Sequence, residues 1–309
     1  MKEELIRAAY LYYIQKLNQQ EIAEKMAMSR QRVGRLLRRA EEEGVVEIRV
    51  HGYSESCAQL EETLCKKLGL DAVRIVDSED ELRISEAALD YVENRIEPEC
   101  SIGVAFGHTT AQLCRVQRQA PPRGIKIVQL LGGLNAYQHA GYRPDEVATR
   151  FAQMFGGEPY GLFIPAILKN PQLKKLIYAE EQFQPMLERI AGVDMAVITA
   201  GALHRSKDNI LTRDGYLSEE ELERLVSLGC VGNVCLHFID LEGNLVDPEL
   251  DERIVGITAE QLKRVPVRIC VAYGPHKLHS IIGAARGGFL SILVTNRSTA
   301  QGLLDCGLL

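Results

Sequence analysis

The sequence predicts an α/β protein in two parts. An N-terminal helix-turn-helix (winged-helix-like) domain precedes a doubly wound, mostly parallel α/β domain. Three observations predict this. From residue 72 onward, short near-continuous apolar runs alternate with amphipathic helical patterns, as parallel strands covered on both faces require. Ahead of them lie three helical patterns joined by tight links. The charge divides at the same place: residues 1–50 hold ten Lys/Arg against eight Asp/Glu, and the rest of the 309-residue chain holds 26 against 34. With His51-Gly-Tyr-Ser54 as the linker, the expected domains are 1–52 and 55–309.

In the head, Ile6, Ala9, Tyr10, Tyr13, Ile14 and Leu17 recur at three- and four-residue steps and predict a helix over 4–17. Asn18, three residues before Glu21, forms a capping-box variant for a second helix, with Ile22, Ala23 and Met26 inside. Ser29 is the N-cap of a third helix that Gly44 ends. At ~100° per residue, Val33, Leu36, Leu37 and Ala40 share one arc of that helix. Arg30, Arg32, Arg35, Arg38 and Arg39 fill the other side with Gln31, and no acid interrupts residues 29–39.

Arginines in a helix's first turn oppose the macrodipole, so a negative partner is expected there. Two short helices in tight sequence, the second basic and N-capped, form a helix-turn-helix whose second helix reads the DNA major groove. Arg30, Gln31, Arg32 and Arg35 lie at the helix start and are candidates for base edges; Arg38 and Arg39 lie further along and suit phosphates. A solvated basic face is the plainer alternative. Residues 45–50 alternate as a short wing strand.

In the body, a helix is expected over 57–69, with Cys57, Leu60, Leu64, Cys65 and Leu68 inward. Strands follow at 72–76, 101–106, 125–131, 194–199, 234–239, 267–272 and 292–295, and helices at 81–96, 109–118 and 145–155. Ligands of such sheets bind beyond the strands' carboxyl ends, which directs attention to four segments. Gly107-His108-Thr109-Thr110 offers two hydroxyls and N–H groups at a helix start, suited to an anion or to plain capping. Gly132-Gly133 allows close backbone approach or a simple turn. Gly232-Asn233, just before a strand, offers an amide for sugar hydroxyls or for a turn. Tyr273-Gly-Pro-His-Lys277 puts Lys277 in a helix's first turn, where it suits an anionic ligand or merely faces solvent.

Composition excludes several classes. The chain is 46% hydrophobic and 25% charged, against disorder, and its longest nearly apolar stretch, 194–203, is far short of the ~20 residues of a membrane span. The opening Met-Lys-Glu-Glu is amphipathic rather than a signal peptide, so a cytoplasmic location is expected. The eight cysteines form no CxxC and read as small buried hydrophobes. GxGxxG, Walker-A, HExxH and GxSxG are absent, and His276 and His279 have no third ligand in view, so neither cofactor nor metal is expected.

The order of these motifs, continuing through Val128-Gln-Leu-Leu-Gly-Gly133, Gly229-Cys-Val-Gly-Asn-Val234, Phe238-Ile-Asp-Leu-Glu-Gly243, Gly274-Pro-His-Lys277 and Arg286-Gly-Gly-Phe-Leu-Ser-Ile-Leu-Val-Thr-Asn-Arg-Ser-Thr-Ala300, resembles the SorC/DeoR-type bacterial sugar-responsive transcriptional regulators from end to end. The resemblance implies an effector domain with the fold of glucosamine-6-phosphate deaminase and ribose-5-phosphate isomerase. It also implies a homodimer or homotetramer on a two-fold related operator, released or remodelled by a sugar or sugar phosphate. Carried over, Thr109 and Thr110 hold a phosphate or terminal hydroxyl and Lys277 binds the effector's anionic end. Two positions depart from the pattern: Asn233 stands where many relatives have Asp, and Leu131 where some have Lys or Arg, which removes a Schiff base there. The function expected is sequence-specific control of a carbohydrate operon. The alternative is a phosphosugar isomerase- or deaminase-like enzyme with a helical head; it needs an acid/base pair in the crevice, and Asp240 follows a strand but has no evident partner.

Overall fold

The structure is a computed structural model that describes residues 2–46, 55–133, 143–203, 211 and 215–309. The chain divides into two compact units, Met1–His51 and Gly52–Leu309.

The first unit contains α1 (Lys2–Ala9) running into a π-helical turn (Tyr10–Ile14), then α2 (Gln19–Lys25) and α3 (Arg30–Glu42). The Asn18 capping box forms as expected: its Oδ1 accepts from the N–H groups of Gln20 and Glu21, and its own N–H donates to Glu21 Oε2 at 2.8 Å. Ser29 caps α3 by accepting from Arg32 N–H. Ile22, Val33 and Ala40 are wholly buried and close the core with Leu36, Leu37, Leu5, Ala8, Ala9 and Leu11. The Tyr13 hydroxyl donates to Glu41 Oε1 and ties the π turn to α3.

Of the residues that recur along the first helix, Ala9 is buried but Ile6, Tyr10 and Ile14 are not. Leu5, Ala8, Ala9 and Leu11 are the buried residues, whereas Ile6, Tyr10 and Ile14 are 49%, 52% and 67% exposed. The segment is apolar on two sides, so periodicity alone does not say which side meets α2 and α3. The π turn inserts a residue into the helical ladder and changes the face presented after Tyr10. Val45 and Val46 form a bend rather than the start of a wing strand; residues 47–50 of that expected strand, and the 51–54 linker, lie outside the described residues.

In the second unit α4 (Glu55–Leu68) leads into β1 (Ala72–Val76), α5 (Glu81–Glu93), β2 (Ser101–Val104), α6 (His108–Leu113), β3 (Ile125–Gln129), α7 (Pro144–Phe155) and β4 (Gly157–Tyr160). Then come α8 (Pro171–Ala179), α9 (Gln184–Ala191), β5 (Met195–Ile198), β6 (Ala200–Ala202), α10 (Glu219–Ser227), β7 (Gly232–Val234) and β8 (His237–Ile239). The chain ends with α11 (Pro248–Asp251), α12 (Ala259–Arg264), β9 (Val267–Val271), a 3₁₀ turn (Pro275–Lys277), α13 (Leu278–Arg286), β10 (Ile292–Asn296) and α14 (Arg297–Asp305).

Seven strands form one sheet in the order β1-β10-β9-β5-β2-β3-β4, with every neighbouring pair parallel. Successive residues alternate between its faces: Ile198, Cys270 and Leu293 point into the core beneath α4, α13 and α14, and Val197, Val271 and Val294 into the core beneath α5, α6 and α7. After β2 the chain moves outward to β3 and β4, then returns to place β5 on β2's other side and continues to β9 and β10. Strand order therefore reverses between β2 and β5, and in such sheets ligands bind beyond the carboxyl ends at the point of reversal.

The expected single strand over 234–239 is corrected to a hairpin, with Val234 paired to His237. Together with β6 it makes a separate antiparallel sheet, so Gly232-Asn233 lies in a strand rather than ahead of one. The two turn residues, Cys235 and Leu236, have φ of 50° and 62°. That is the conformation of a type I′ turn, which normally recruits Asn-Gly, so turn chemistry gives no notice of it. Burial of both residues in the core holds the turn. His237 anchors the hairpin further, with Nδ1 2.6 Å from Asp251 Oδ1 and Nε2 donating to Ile257 O. Strands β4 and β6 carry no strand signal in the sequence, since Gly157-Glu-Pro-Tyr160 and Ala200-Gly-Ala202 lack a β-branched run.

Phe151 of α7 is fully buried beside Phe155, their ring centroids 6.0 Å apart. Phe151→Ala is expected to lower the body's stability by about 3–5 kcal/mol, read as a lower denaturant midpoint.

Candidate functional site

Each unit carries a candidate surface. In the head, the side of α3 opposite Val33, Leu36, Leu37 and Ala40 exposes Arg30, Gln31, Arg32, Arg35, Arg38 and Arg39, as the helical wheel required. Two of these cations have acidic neighbours: Arg32 pairs with Glu4 at 3.3 Å and Arg39 with Glu43 one turn along. Both pairs are exposed to solvent, where such contacts contribute under about 1 kcal/mol, so a phosphate competes with them readily. Among the described residues Arg30, Arg35 and Arg38 have no ion-pair partner. The Ser29 side chain is committed to capping.

In the body, the reversal point gathers residues from three strand ends. Gly107 follows β2 with φ of 143°, and a Cβ there would lie 3.8 Å from Thr199 Cγ2, so the β2 and β5 ends lie side by side. Lys277, arriving from beyond β9 on the 3₁₀ turn, donates from Nζ to Thr109 Oγ1 at 2.8 Å and to Thr199 Oγ1 at 3.3 Å. Burial pulls its pKa down to about 8, with Cys270 and Glu81 acting weakly in the other direction. Among the described residues no carboxylate lies within salt-bridge distance of the ammonium. The Tyr273 ring lies 5.8 Å from Nζ. Its hydroxyl is buried with no hydrogen bond of regular geometry among the described residues. Burial first, then the nearby Glu81 carboxylate, lifts its pKa to about 12.

The other expected ligand residues divide. Thr110 is buried and donates its hydroxyl back to Gly107 O at 3.0 Å, so it holds the turn. His108 is exposed at the start of α6, with Nε2 3.2 Å from Gln112 Nε2. Asn233 lies across from Gly201, its amide nitrogen 2.9 Å from where a Cβ on that glycine would stand, two residues beyond Thr199. Gly132 and Gly133 donate their N–H groups to Val255 O and Ile164 O. Cβ atoms there would stand 2.5 Å from Ile164 O and 2.1 Å from Pro144 Cγ. Chain packing accounts for both glycines. Leu131 is buried and bridged to Gly256.

Thr199 is not singled out by the sequence, and Tyr273 enters only as the first residue of the segment that carries Lys277. The available signal was position: each directly follows or closely trails a strand end, and Thr199 is the one polar residue within Ala196-Val-Ile-Thr-Ala200. Asp240, the acid weighed for an enzyme, accepts from Asn244 N–H and Nδ2 and so organises the turn after β8.

An N-capped basic helix following a short capped helix in one unit, and a parallel sheet with a lysine at its reversal point in the other, point to the class: a DNA-binding regulator with a small-molecule receptor domain. Comparison with known proteins agrees with that geometry. Residues 53–305 match the family described as "Putative sugar-binding domain", and residues 5–42 match sigma-70 region 4. The deoxyribonucleoside regulator of Bacillus subtilis (strain 168) is 30% identical, over 97% of this chain and 96% of its own length. The sorbitol operon regulator of Klebsiella pneumoniae is 27% identical, over 97% of both chains. The crystal structure of full-length SorC from Klebsiella pneumoniae covers 98% of both chains with a TM-score of 0.76. The chain belongs to the SorC family of sugar-responsive transcriptional regulators. These relatives are named as regulators, which favours that reading over the isomerase- or deaminase-like enzyme. Among the described residues no helix is long and apolar enough to cross a membrane.

Keeping an ammonium out of water costs stability until a ligand answers it. The folded chain releases the Lys277 proton near pH 8, whereas the unfolded chain holds it to about 10.5. The cost is therefore full below pH 8 and fades as pH rises toward 10.5. Lys277→Met is expected to stabilise the ligand-free protein by up to about 3 kcal/mol at pH 7, with the advantage shrinking above pH 8 in denaturation curves taken across that range.

Proposed function

We propose that the chain represses or activates a carbohydrate operon by binding its operator through α3 and releasing or remodelling that contact when an anionic sugar, a sugar phosphate above all, occupies the crevice between β2 and β5. The single observation that carries the effector class is the desolvated Lys277 ammonium, held by Thr109 and Thr199 with no carboxylate in salt-bridge reach among the described residues. A partly buried cation without a carboxylate in salt-bridge reach among the described residues recruits an anion, and a phosphate would answer the charge at Nζ. Thr109 and Thr199 hydroxyls orient the anionic end; Tyr273, whose hydroxyl makes no regular hydrogen bond, and Asn233 are the donors available to sugar hydroxyls. Gly107 and His108 line the approach, and Thr110, Gly132 and Gly133 serve by shaping the backbone.

In the head, Arg30, Gln31, Arg32 and Arg35 read bases from the first turns of α3, Arg38 and Arg39 hold phosphates, and Ser29 fixes the helix start. The functional domains are 1–52 and 55–309. The working form is a homodimer or homotetramer in the cytoplasm, where a two-fold operator is met by two heads, and the effector biases the equilibrium between their arrangements. No cofactor and no metal takes part.

Two measurements test this. Calorimetric titration with a panel of pentose and hexose phosphates and the matching free sugars should give binding for at least one phosphate. The free sugar should bind at least tenfold more weakly, and Lys277→Met should remove the difference. Binding of free sugars alone, unaltered in Lys277→Met, would overturn the anionic class. For the head, Arg35→Ala should weaken binding to genomic operator fragments about tenfold or more and flatten the salt dependence, while sugar-phosphate binding stays unchanged; undiminished operator binding would remove α3 from the interface.

A further inference from the structure

The segment between β1 and α5, Asp77-Ser78-Glu79-Asp80-Glu81, brings four carboxylates to the side of the sheet on which the Lys277 segment emerges. Three of them are committed. Asp77 pairs with Arg297 at 3.4 Å. Glu79 Oε2 accepts from Asn296 Nδ2 at 2.6 Å. Asp80 caps α5 by accepting from Leu82 N–H at 2.9 Å. Asn296 is in turn the N-cap of α14 and Arg297 its first residue, so these contacts fasten the segment to a second element at the same end of the sheet. Glu81, in the first turn of α5, makes none of them. Its side chain is exposed, its carboxylate stands next to the buried Tyr273 hydroxyl, and its charge also acts on Lys277. The Tyr273 ring links the two charges: Nζ of Lys277 lies 5.8 Å from its centroid, and Glu81 meets its hydroxyl end.

We propose that Glu81 is the specificity-determining residue of the ligand site, admitting sugars that are anionic at one end only and rejecting those that carry a second phosphate or a carboxylate. The inference rests on the anionic reading above and narrows it from sugar phosphates to sugar monophosphates. Lys277 answers one anionic group, and among the described residues no second Lys or Arg donates to Thr109, Thr199 or Tyr273. Arg83, two residues along α5, does not share Glu81's side of the helix. An ionised carboxylate only accepts hydrogen bonds. Glu81 therefore takes the hydroxyls of a bound sugar and repels a second anion across the length of that sugar. The same repulsion orients the ligand, with its phosphate toward Lys277 and its hydroxyls toward Glu81.

The test is calorimetric titration of the full chain with pairs that differ by one anionic group. The pairs are ribulose 5-phosphate and ribulose 1,5-bisphosphate, fructose 6-phosphate and fructose 1,6-bisphosphate, and glucose 6-phosphate and 6-phosphogluconate. In at least one pair the wild-type chain should bind the singly anionic member about tenfold or more tightly than the other. Glu81→Gln should narrow that preference about fivefold or more, chiefly by tightening the doubly anionic member, and Glu81→Lys should reverse it. A purely structural role for Glu81 would weaken both members alike and leave their ratio unchanged. Equal or tighter wild-type binding of the doubly anionic member in every pair overturns the proposal, and so does a preference that Glu81→Gln leaves intact. The matching free sugars separate this failure from that of the anionic reading. If a phosphate binds more tightly than its free sugar, that reading stands and the pairs decide Glu81 alone. If free sugars bind as tightly as their phosphates, or no member of any pair binds, both fall together.

Discussion

A parallel sheet cannot turn one face to water. Its neighbouring strands are joined only by crossovers, and the crossovers lay helices on both sides. Most of the body follows from that constraint. Seven parallel strands divide their side chains between two apolar cores, one under α4, α13 and α14 and the other under α5, α6 and α7. Every strand then points its carboxyl end the same way, so the segments after β2, β5 and β9 emerge on one side of the sheet. The reversal of strand order between β2 and β5 separates their departing chains. Thr109, Thr199 and Lys277 meet there although they are far apart in the sequence.

What that meeting costs is visible in the electrostatics. Lys277 gives up hydration for two hydroxyl contacts, which is less than an ammonium can use, and its proton is accordingly held less firmly. Tyr273 nearby keeps a buried hydroxyl without a regular hydrogen bond among the described residues. A fold optimised only for stability would pair or remove both groups. Both stay near the reversal point, where the proposed ligand site lies. The paired glycines after β3, which in the sequence suit a ligand contact, have another origin. Gly132 and Gly133 pass so close to the 164–165 segment and to Pro144 that no side chain fits, and they bring the chain beyond β3 back over the sheet.

The head works on a smaller scale, and its order comes from caps as much as from core. Asn18 and Ser29 satisfy the first N–H groups of two short helices, without which helices of seven and thirteen residues would hold poorly. With those ends fixed, Val33, Leu36, Leu37 and Ala40 point inward and the arginines have only the outward side. The cationic face is therefore a consequence of capping plus periodicity, and the family match over residues 5–42 falls on the same segment.

The sequence by itself determined the alternation of strands and helices, both head caps, the α3 faces and the strand-end location of the Gly107–Thr110 and Lys277 segments. These depend on interactions within a few residues: capping hydrogen bonds, apolar period and the turn chemistry of Gly. Tertiary structure alone decided which side of an all-round apolar helix is buried, since Leu5 and Ile6 are equally apolar and only the packing of α2 and α3 chooses between them. It also decided the hairpin at Cys235-Leu236, because burial rather than turn residues holds those positive φ angles. The partnership of Lys277 with Thr199 belongs to the same class. Residues 78 positions apart become neighbours only through the strand order, and strand order is fixed by which apolar faces pack together, a global balance that no local pattern records.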